Sequence, residues 1–268
     1  MSIKDVQNQK DHRNIPIQKV GVKDVEIPLK IERKPNKTGD SIELETVYAK
    51  VKMSVSLPSV FKGTHMSRFI EILNEYKKVA LDSNDIERVL FDMKNKLDAK
   101  SAYLKFDFKY FIEKTAPVSK MTSLMCYDCA FEGEVDENCD FNFFLITKVP
   151  ITTLCPCSKE ISNYGAHNQR ALLKIKISYP KDKIIWLEDL IKTAEDCASC
   201  EIFPLLKRED EKFVTETAYE NPKFVEDVIR DIVSKLDSNK DINFYEVEME
   251  AFESIHNHNA WAYQKCCK

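Results

Sequence analysis

The spacing of the apolar residues changes along the chain in an order that occurs twice. Alternation predicts a pair of strands, spacings of three and four residues then predict helices, and alternation predicts strands again. The first round has strands at 22–33, 42–57, 102–112 and 120–131 with helices at 66–76 and from Ser83; the second has strands at 141–149, 171–179 and 242–251 with helices at 184–194 and 224–236. Antiparallel hairpins with helix pairs between them place the helices on one sheet face, which predicts an α+β protein.

This repeated order also sets the predicted domain organisation. We expect two modules of strand-strand-helix-helix-strand-strand type, at residues 20–134 and 135–268, after a polar N-terminal arm at residues 1–19. A chain of 268 residues is long enough for two such modules.

Glycine is scarce and widely spaced. The chain has five glycines, and no two of them lie close enough to form a phosphate-binding loop of the Walker or dinucleotide type. If a nucleotide binds, its phosphates must therefore be held by side chains and helix N-termini.

Charge and cysteine content limit the class of protein. The net charge is -4 and the isoelectric point is about 5.9, so we expect no general nucleic-acid surface. The N-terminus is polar, and no apolar stretch approaches the roughly 18 residues that span a bilayer. We expect a cytoplasmic protein without membrane attachment, in which the nine cysteines are thiols or metal ligands rather than disulfides.

The segment from 152 to 170 contains the most informative polar residues. Cys155 and Cys157 flank a proline, and Lys159 and His167 follow within twelve residues of Cys155. A thiolate forms at neutral pH beside positive charge or a metal, and this lysine and histidine could supply the charge. The alternative is that the cysteines are small apolar residues at a strand end and that the histidine lies on the surface.

Two further segments carry possible ligands. His256 and His258 alternate at the end of a predicted strand, so both rings would project to one face and could approach a metal, although a polar surface cluster is an equal alternative. The stretch 207–216 is rich in carboxylates and most simply forms a solvated surface. Glu226 lies in the first turn of a predicted helix, where a negative charge is favourable.

Two Cys-x-x-Cys pairs suggest a structural zinc site, but their spacing argues against it. Cys126 and Cys129 are separated by 68 residues from Cys197 and Cys200, whereas compact zinc ribbons separate their pairs by about 15 to 20 residues.

Several long motifs resemble those of the prokaryotic type IB GTP cyclohydrolases. The resemblance runs in order from about residue 5 to residue 262, nearly the whole chain. The motifs are residues 63–69 (Gly-Thr-His-Met-Ser-Arg-Phe), 154–162 (Leu-Cys-Pro-Cys-Ser-Lys-Glu-Ile-Ser), 165–170 (Gly-Ala-His-Asn-Gln-Arg), 207–208 (Lys-Arg), 214–216 (Val-Thr-Glu), 221–227 (Asn-Pro-Lys-Phe-Val-Glu-Asp) and 253–256 (Glu-Ser-Ile-His).

The resemblance implies a bimodular tunnelling fold and a set of site residues. Subunits of this family commonly form homotetramers with active sites at their interfaces. By similarity, Cys155 and His256 would bind a divalent metal (zinc, manganese or iron(II)) together with a glutamate, aligned as Glu211 with Glu209 or Glu216 as alternatives. Cys157 would be the essential thiol, and His167 an acid/base group. Glu226 would bind the guanine.

The implied reaction is hydrolytic release of C8 of GTP as formate, with formation of 7,8-dihydroneopterin triphosphate. The triphosphate requires cations, for which the candidates are Lys62, His65, Arg68 and Arg170. The sequence leaves open whether the product is used for folate or for modified tRNA bases. The two Cys-x-x-Cys pairs and the terminal Cys266 and Cys267 depart from the family pattern without affecting these motifs.

Three alternative functions remain at this stage. A related enzyme of the same fold could act on GTP and give a cyclic-phosphate product. A nitrile reductase of 7-deazaguanine metabolism would also use a cysteine of this fold, with NADPH and without the metal ligands. A non-catalytic purine-binding module could use the same pocket, although it would have no need of Cys157, His167 and the metal ligands together.

Overall fold

A computed structural model describes residues 7, 9–35, 41–76 and 80–268. Within these residues it has strands β1 (Ile17–Arg33), β2 (Glu43–Leu57), β3 (Ala102–Thr115), β4 (Thr122–Val135), β5 (Phe141–Leu154), β6 (Asn168–Ser178), β7 (Cys200–Glu201), β8 (Phe244–Ala251) and β9 (Ala260–Cys267), and helices α1 (Met66–Tyr76), α2 (Ser83–Lys96), α3 (Pro156–Ile161), α4 (Leu187–Glu195), α5 (Arg208–Glu220) and α6 (Val225–Ser238). The strands form a nine-stranded sheet in the order β1-β2-β3-β4-β5-β6-β8-β9, with β7 paired to β5. This arrangement confirms the predicted α+β class.

The chain divides into two compact units. Unit 1 comprises Met1–Phe108 and Ala130–Phe144, and unit 2 comprises Lys109–Cys129 and Leu145–Lys268. Each of the long strands β3 and β4 contributes residues to both units, because the boundaries fall within these strands. The modules predicted at 20–134 and 135–268 stay a prediction.

In unit 1, alternate residues of paired strands pack against two helices. β2 pairs with β1 and with β3 in antiparallel register, and its inward residues from Val47 to Val55 are buried. α1 and α2 cover this face with buried residues three and four positions apart, such as Phe69 and Ile72. Gly21 is required in β1, because a Cβ atom there would lie 2.0 Å from the carbonyl oxygen of Met53.

In unit 2, β6 is the central strand of the part that forms the candidate site. It pairs with β5 on one side and β8 on the other, and β8 also pairs with β9, all in antiparallel register. α4 and α6 bury apolar stripes that include Leu190, Ile191, Val228 and Ile232. The predicted stripe of α6 is confirmed, since its buried residues are spaced by three and four.

Unit 2 also buries a compact set of charged side chains. Lys114 of β3 donates to Glu195 Oε1 at 2.8 Å and to the Ile202 carbonyl at 2.7 Å, and its Nζ lies 2.7 Å from Glu201 Oε2. Tyr127 donates to the same oxygen of Glu195 at 2.7 Å. The Lys114 and Glu195 side chains are 8% and 5% exposed, so this is a buried, hydrogen-bonded ion pair. We call these four residues, Lys114, Tyr127, Glu195 and Glu201, the Lys114 cluster.

Several local predictions were wrong or incomplete. Helix α2 begins at Ser83 as predicted, and its N-cap is the preceding residue, Asp82, whose carboxylate accepts from the Asp85 N–H at 2.8 Å. His256 and His258 lie in the 252–259 loop between β8 and β9 rather than on a strand. Neither α3 nor β9 was predicted, and the charged stretch 207–216, whose residues are mostly exposed as expected, belongs mostly to helix α5, which was not predicted.

The first turn of α5 is fixed by a buried carboxylate. Asp210 accepts from the N–H groups of Val118, Ser119 and Lys207 at 2.8 to 2.9 Å and from the Ser119 hydroxyl at 2.6 Å. Burial raises the pKa of Asp210, but these hydrogen bonds outweigh it and hold the pKa below its usual range. The turn between β3 and β4 therefore determines where α5 begins.

The predicted N-terminal arm is only partly described. Residues 1–6 and 8 lie outside the described residues, as does Gly39. Residues 17–19 belong to β1, and the Lys62 N–H donates to the carbonyl of Gln9 at 2.9 Å. Of the described helices, none is long and apolar enough to cross a membrane.

Candidate active site

Strand pairing brings the ends of three strands of unit 2 together. The first residue of β6, Asn168, pairs with Leu154, the last residue of β5. The last residue of β8, Ala251, pairs with Ala171 near the same end of β6. Because neighbouring strands run antiparallel, the segments that leave β5 and β8 lie beside the segment that enters β6. These three segments carry the cysteine, histidine and double-histidine motifs.

Backbone hydrogen bonds hold Cys155 and His167 together. The Cys155 N–H donates to the His167 carbonyl at 3.1 Å. The Ser158 hydroxyl donates to the Cys155 carbonyl at 3.2 Å and accepts from the His167 N–H at 3.1 Å. Cys155 is the N-cap of α3, and its sulfur accepts from the Ser158 N–H at 3.4 Å. Pro156 occupies the first helical position, where no N–H is needed.

Glu253 faces two imidazole rings. Its Oε2 lies 3.9 Å from Nδ1 of His167 and 3.8 Å from Nδ1 of His256. The His167 and Glu253 side chains are 13% exposed, whereas His256 is 50% exposed and its ring stacks on that of His258 with centroids 5.1 Å apart. Both nitrogen–oxygen separations exceed hydrogen-bond lengths. At these separations Oε2 of Glu253 retains the capacity to accept from another group.

Gln169 links the histidine to the strands. Its Nε2 donates to the Thr153 hydroxyl at 3.2 Å and to Glu253 Oε1 at 3.4 Å. Its Oε1 lies 3.0 Å from Nδ1 of His167. One amide thus fixes the histidine relative to β5 and to the loop after β8.

These side chains line a cleft of about 320 Å³. The beginning of α6 contributes Lys223, Phe224 and Glu226 to the lining, and the Lys223 N–H donates to the Leu154 carbonyl at 3.0 Å. Glu226 is exposed in the first turn of α6, where the helix dipole favours a carboxylate. The volume is at the lower end of the range for small-molecule sites.

Among the predicted residues of unit 2, Cys155, His167, Glu226 and His256 line this one cleft. Cys157 is exposed on α3, two residues beyond Cys155, and is not part of the lining. The predicted role of each of these residues stays a prediction.

The other predicted residues lie outside the lining of the cleft. The three candidate glutamates, Glu209, Glu211 and Glu216, are exposed on α5. Arg170 is exposed on β6, next to the lining residue Gln169.

Lys62, His65 and Arg68 belong to unit 1, just before α1 and in its first turn. The guanidinium of Arg68 donates to the Lys96 carbonyl at 2.8 Å, and Lys62 is exposed. Their assignment to the triphosphate stays a prediction.

In the described part of the chain, no three His, Cys, Asp or Glu side chains are placed closely enough to hold a metal ion. The predicted triad of Cys155, His256 and Glu211 is therefore not assembled within one chain. Glu253 is the glutamate that lies beside His256 in the cleft.

The remaining cysteines have different environments. Cys129, Cys197 and Cys200 are buried, and burial raises the thiol pKa of Cys129 to about 12 and that of Cys197 to about 11. The Cys129 thiol donates to the Thr147 hydroxyl, and the Cys197 thiol to the Thr193 carbonyl. These contacts indicate protonated core thiols rather than ligands of a structural zinc.

Glu253 and Gln169 are cleft residues to which sequence reasoning assigned no role. Both lie inside motifs that were noticed, one directly before the double-histidine segment and the other two residues after His167. The available signal was their position: Gln169 is the second residue of β6, which pairs with β5, and Glu253 follows the end of β8, which pairs with β6, by two residues. Only the register of the sheet shows that they face the same cleft.

Comparison with known proteins identifies the family. Residues 3–262 match the family model described as type I GTP cyclohydrolase FolE2. The chain belongs to this family. The GTP cyclohydrolase FolE2 of Citrifermentans bemidjiense is 52% identical over 262 residues, which cover 97% of this chain and 94% of that protein. The Thermosipho africanus protein of the same name is 50% identical over 261 residues, covering 97% and 96%.

Among solved structures, a uricase from Bacillus fastidious is similar to this FolE2 family member. The TM-score is 0.56 at 10% identity, with 94% of each chain covered. At this identity the similarity concerns the fold alone, and it confirms the predicted tunnelling fold.

Proposed function

We propose that this chain opens the guanine ring of GTP in the cleft between the ends of β5 and β6 and the beginning of α6. GTP cyclohydrolase activity follows from its membership of the FolE2 family and from relatives at 50% and 52% identity over nearly the whole chain. The observation that supports the location is the convergence of Cys155, His167, Glu253 and His256 on one cleft that also contains Glu226.

The donor atoms of the cleft suit a divalent metal. The lining contains one thiol, three imidazoles and two carboxylates, residue types compatible with zinc, iron(II) or manganese. We propose that Cys155 and His256 bind this metal together with one carboxylate. Glu211 is the carboxylate predicted from the sequence, and Glu253 is the glutamate that lies beside His256 in the cleft. When bound, such a metal lowers the pKa of a coordinated water from 15.7 toward about 7.

Glu226 is the proposed guanine anchor. Guanine presents N1–H and the 2-amino group side by side, and a single carboxylate accepts from both. Adenine lacks this pair of donors, so the interaction also selects the base. Phe224, two residues before Glu226 and 44% exposed, offers an aromatic ring to the same region.

His167 is the proposed acid/base group, because its ring lines the cleft and its backbone is fixed to Cys155. It would deliver a proton to N7 as the imidazole ring opens and accept one during later steps, a contribution of roughly 10² to 10⁴-fold. The thiol of Cys157 would assist proton movement. C8 leaves as formate, and ring closure after rearrangement of the sugar gives 7,8-dihydroneopterin triphosphate.

We further propose that the active enzyme is a cytoplasmic homotetramer whose product supplies folate or modified tRNA bases. Two features of this chain support assembly. Among the residues that the structure describes, the cleft lining contains no arginine for the triphosphate, and the predicted carboxylate Glu211 lies outside that lining. A neighbouring subunit could contribute both kinds of group.

Formate release from GTP tests the function directly. We expect the purified protein to release one formate per GTP and to form a product with the mass of 7,8-dihydroneopterin triphosphate. A cyclic phosphate of lower mass would favour the related GTP enzyme. NADPH-dependent reduction of a 7-deazaguanine nitrile would favour the reductase, and tight GTP binding without turnover would favour a binding module. Turnover by Cys157→Ala at the parent rate would contradict the role of that thiol.

A further inference from the structure

The hydrogen bonds of Gln169 determine which end of its amide faces which neighbour. The Nε2 atom lies between two oxygen atoms, those of the Thr153 hydroxyl and of Glu253, at 3.2 and 3.4 Å. Glu253 accepts only, so the nitrogen must face it. Rotating the amide by half a turn would bring two acceptor oxygens together and would lose the bond to the carboxylate.

This orientation determines the proton position on His167. Because Nε2 of Gln169 faces Thr153 and Glu253, the other end of the amide faces the histidine. Oε1 of Gln169 lies 3.0 Å from Nδ1 of His167. An amide oxygen accepts only, so the hydrogen bond requires a proton on Nδ1. The Glu253 carboxylate, 3.9 Å from the same nitrogen, favours the same arrangement.

We propose that Gln169 is a positioning residue that holds neutral His167 as the Nδ1–H tautomer, leaving Nε2 to exchange protons with the substrate. This inference rests on the proposed role of His167 and adds the atom at which it acts. Nε2 accepts a proton in the neutral ring and donates it from the protonated ring, while Nδ1–H remains bonded to Gln169 throughout. One nitrogen therefore carries both the acid and the base steps.

The competing explanation is that Gln169 only ties strands together. It is a half-buried residue of β6 that contacts β5 and the loop after β8, and such a bridge could serve stability alone. Loss of stability cannot distinguish the two roles. The position of the proton on the ring can.

Neutron diffraction from deuterium-exchanged crystals of the purified enzyme locates that proton. At a pD of about 8.5, where an ordinary imidazole is neutral, we expect deuterium on Nδ1 of His167 and none on Nε2. In Gln169→Met, which keeps the length of the side chain and removes the acceptor, we expect Nδ1 to lose full occupancy. Gln169→Glu retains an acceptor oxygen for Nδ1 but loses the donor to Glu253, so it should retain deuterium on Nδ1 while losing the bond to the loop after β8.

Steady-state kinetics supply the second readout. We expect Gln169→Met to lower kcat by about 10 to 100-fold with KM for GTP within about twofold, the range for a group that orients a functional histidine. Gln169→Glu should recover part of that loss. Gln18→Met, the same change on exposed β1, is the matched control and should leave kcat unaltered.

Two outcomes overturn the inference. One is deuterium on Nε2 alone in the parent enzyme, and the other is unchanged Nδ1 occupancy and kcat in Gln169→Met. Either result leaves the proposed function intact if the parent enzyme converts GTP. Absence of GTP turnover by the parent enzyme would instead contradict the proposed function, while the tautomer would still be read from the diffraction data.

Discussion

Unit 2 contains two groups of ionisable side chains that differ in how completely their partners satisfy them. In the Lys114 cluster, one ammonium contacts two carboxylates and a carbonyl at 2.7 to 2.8 Å. In the cleft, Glu253 lies 3.8 and 3.9 Å from two imidazole nitrogens. The Lys114 and Glu195 side chains are 8% and 5% exposed, whereas that of His256 is 50% exposed.

The difference separates a structural role from a functional one. Close bonds fill the donor positions of Lys114, so the cluster stabilises the fold and offers nothing to a ligand. In the cleft, Oε2 of Glu253 lies too far from the two imidazole nitrogens for a hydrogen bond, so this oxygen remains able to bind a substrate or a metal. Substitutions in the two groups should therefore affect different measurements.

The largest effect is expected for Cys155→Ala. Loss of the proposed thiolate ligand should lower GTP turnover by about 10³-fold or more, since the proposed metal would activate the water. The free energy of unfolding should change little, because Cys155 is a half-buried residue outside the core. Formate release and denaturant unfolding measure the two quantities. Cys267→Ala, an exposed thiol on β9, is the control, and comparable activity of the two variants would contradict the assignment.

Lys114→Met should show the opposite pattern. Removing one partner of a buried ion pair costs about 3 to 5 kcal/mol, because Glu195 loses its countercharge in the core. We expect that loss in urea unfolding, with kcat per folded molecule close to that of the parent. Lys174→Met, at an ion pair 36% exposed, is the control and should cost less than about 1 kcal/mol. Equal destabilisation by the two variants would remove the distinction between the clusters.

Glu226→Gln sharpens the comparison within the cleft. An amide can accept from only one side of its group, so one guanine donor is left unpaired, at a cost of about 1 to 3 kcal/mol. We expect kcat/KM for GTP to fall by about 10 to 100-fold and the melting temperature to stay the same, since Glu226 is exposed. Glu220→Gln, exposed at the end of α5, is the control. Wild-type kcat/KM in Glu226→Gln would show that guanine binds elsewhere.

The smallest effect concerns the buried thiols. Because burial raises the pKa of Cys129 to about 12, its thiol is protonated in the folded protein at pH 9, while in the unfolded chain it begins to ionise. Between the thiol pKa in the unfolded chain, about 9, and that in the folded protein, about 12, the native state binds more protons than the unfolded state. This thiol's contribution to stability therefore falls as the pH rises above about 9. Alkylation at pH 8.5 followed by mass spectrometry should label Cys267 and spare Cys129. Equal labelling would mean that Cys129 is not buried.

Much of the fold could be predicted because it depends on local periodicity. The alternation of β2 and the apolar stripe of α6 identify both elements and their buried faces. α5 was missed because its surface is charged and its anchor is tertiary: Asp210 is buried by a turn distant in sequence. No local pattern records that a turn at 118–119 supplies the donors.

The site was predictable in part for the same reason. Cys155, His167, Glu226 and His256 were identified from motifs, and strand register places them at one cleft. The contacts of Glu253 and Gln169 with the histidines depend on how close the strand ends lie, which the sequence does not show. The rings of His256 and His258 lie together because they stack on each other in a loop. The sequence had instead predicted that alternation along a strand would place them on one face.

Diffraction data collected at the absorption edge of the bound metal test the central claim most directly. We expect one anomalous peak in the cleft, about 2.3 Å from the Cys155 sulfur and about 2.0 to 2.1 Å from a nitrogen of His256 if the metal is zinc. A glutamate oxygen at a similar distance would identify the third ligand as Glu253 or Glu211. The account would be contradicted if active enzyme held a fully occupied metal elsewhere and neither the Cys155 sulfur nor the His256 ring bound it.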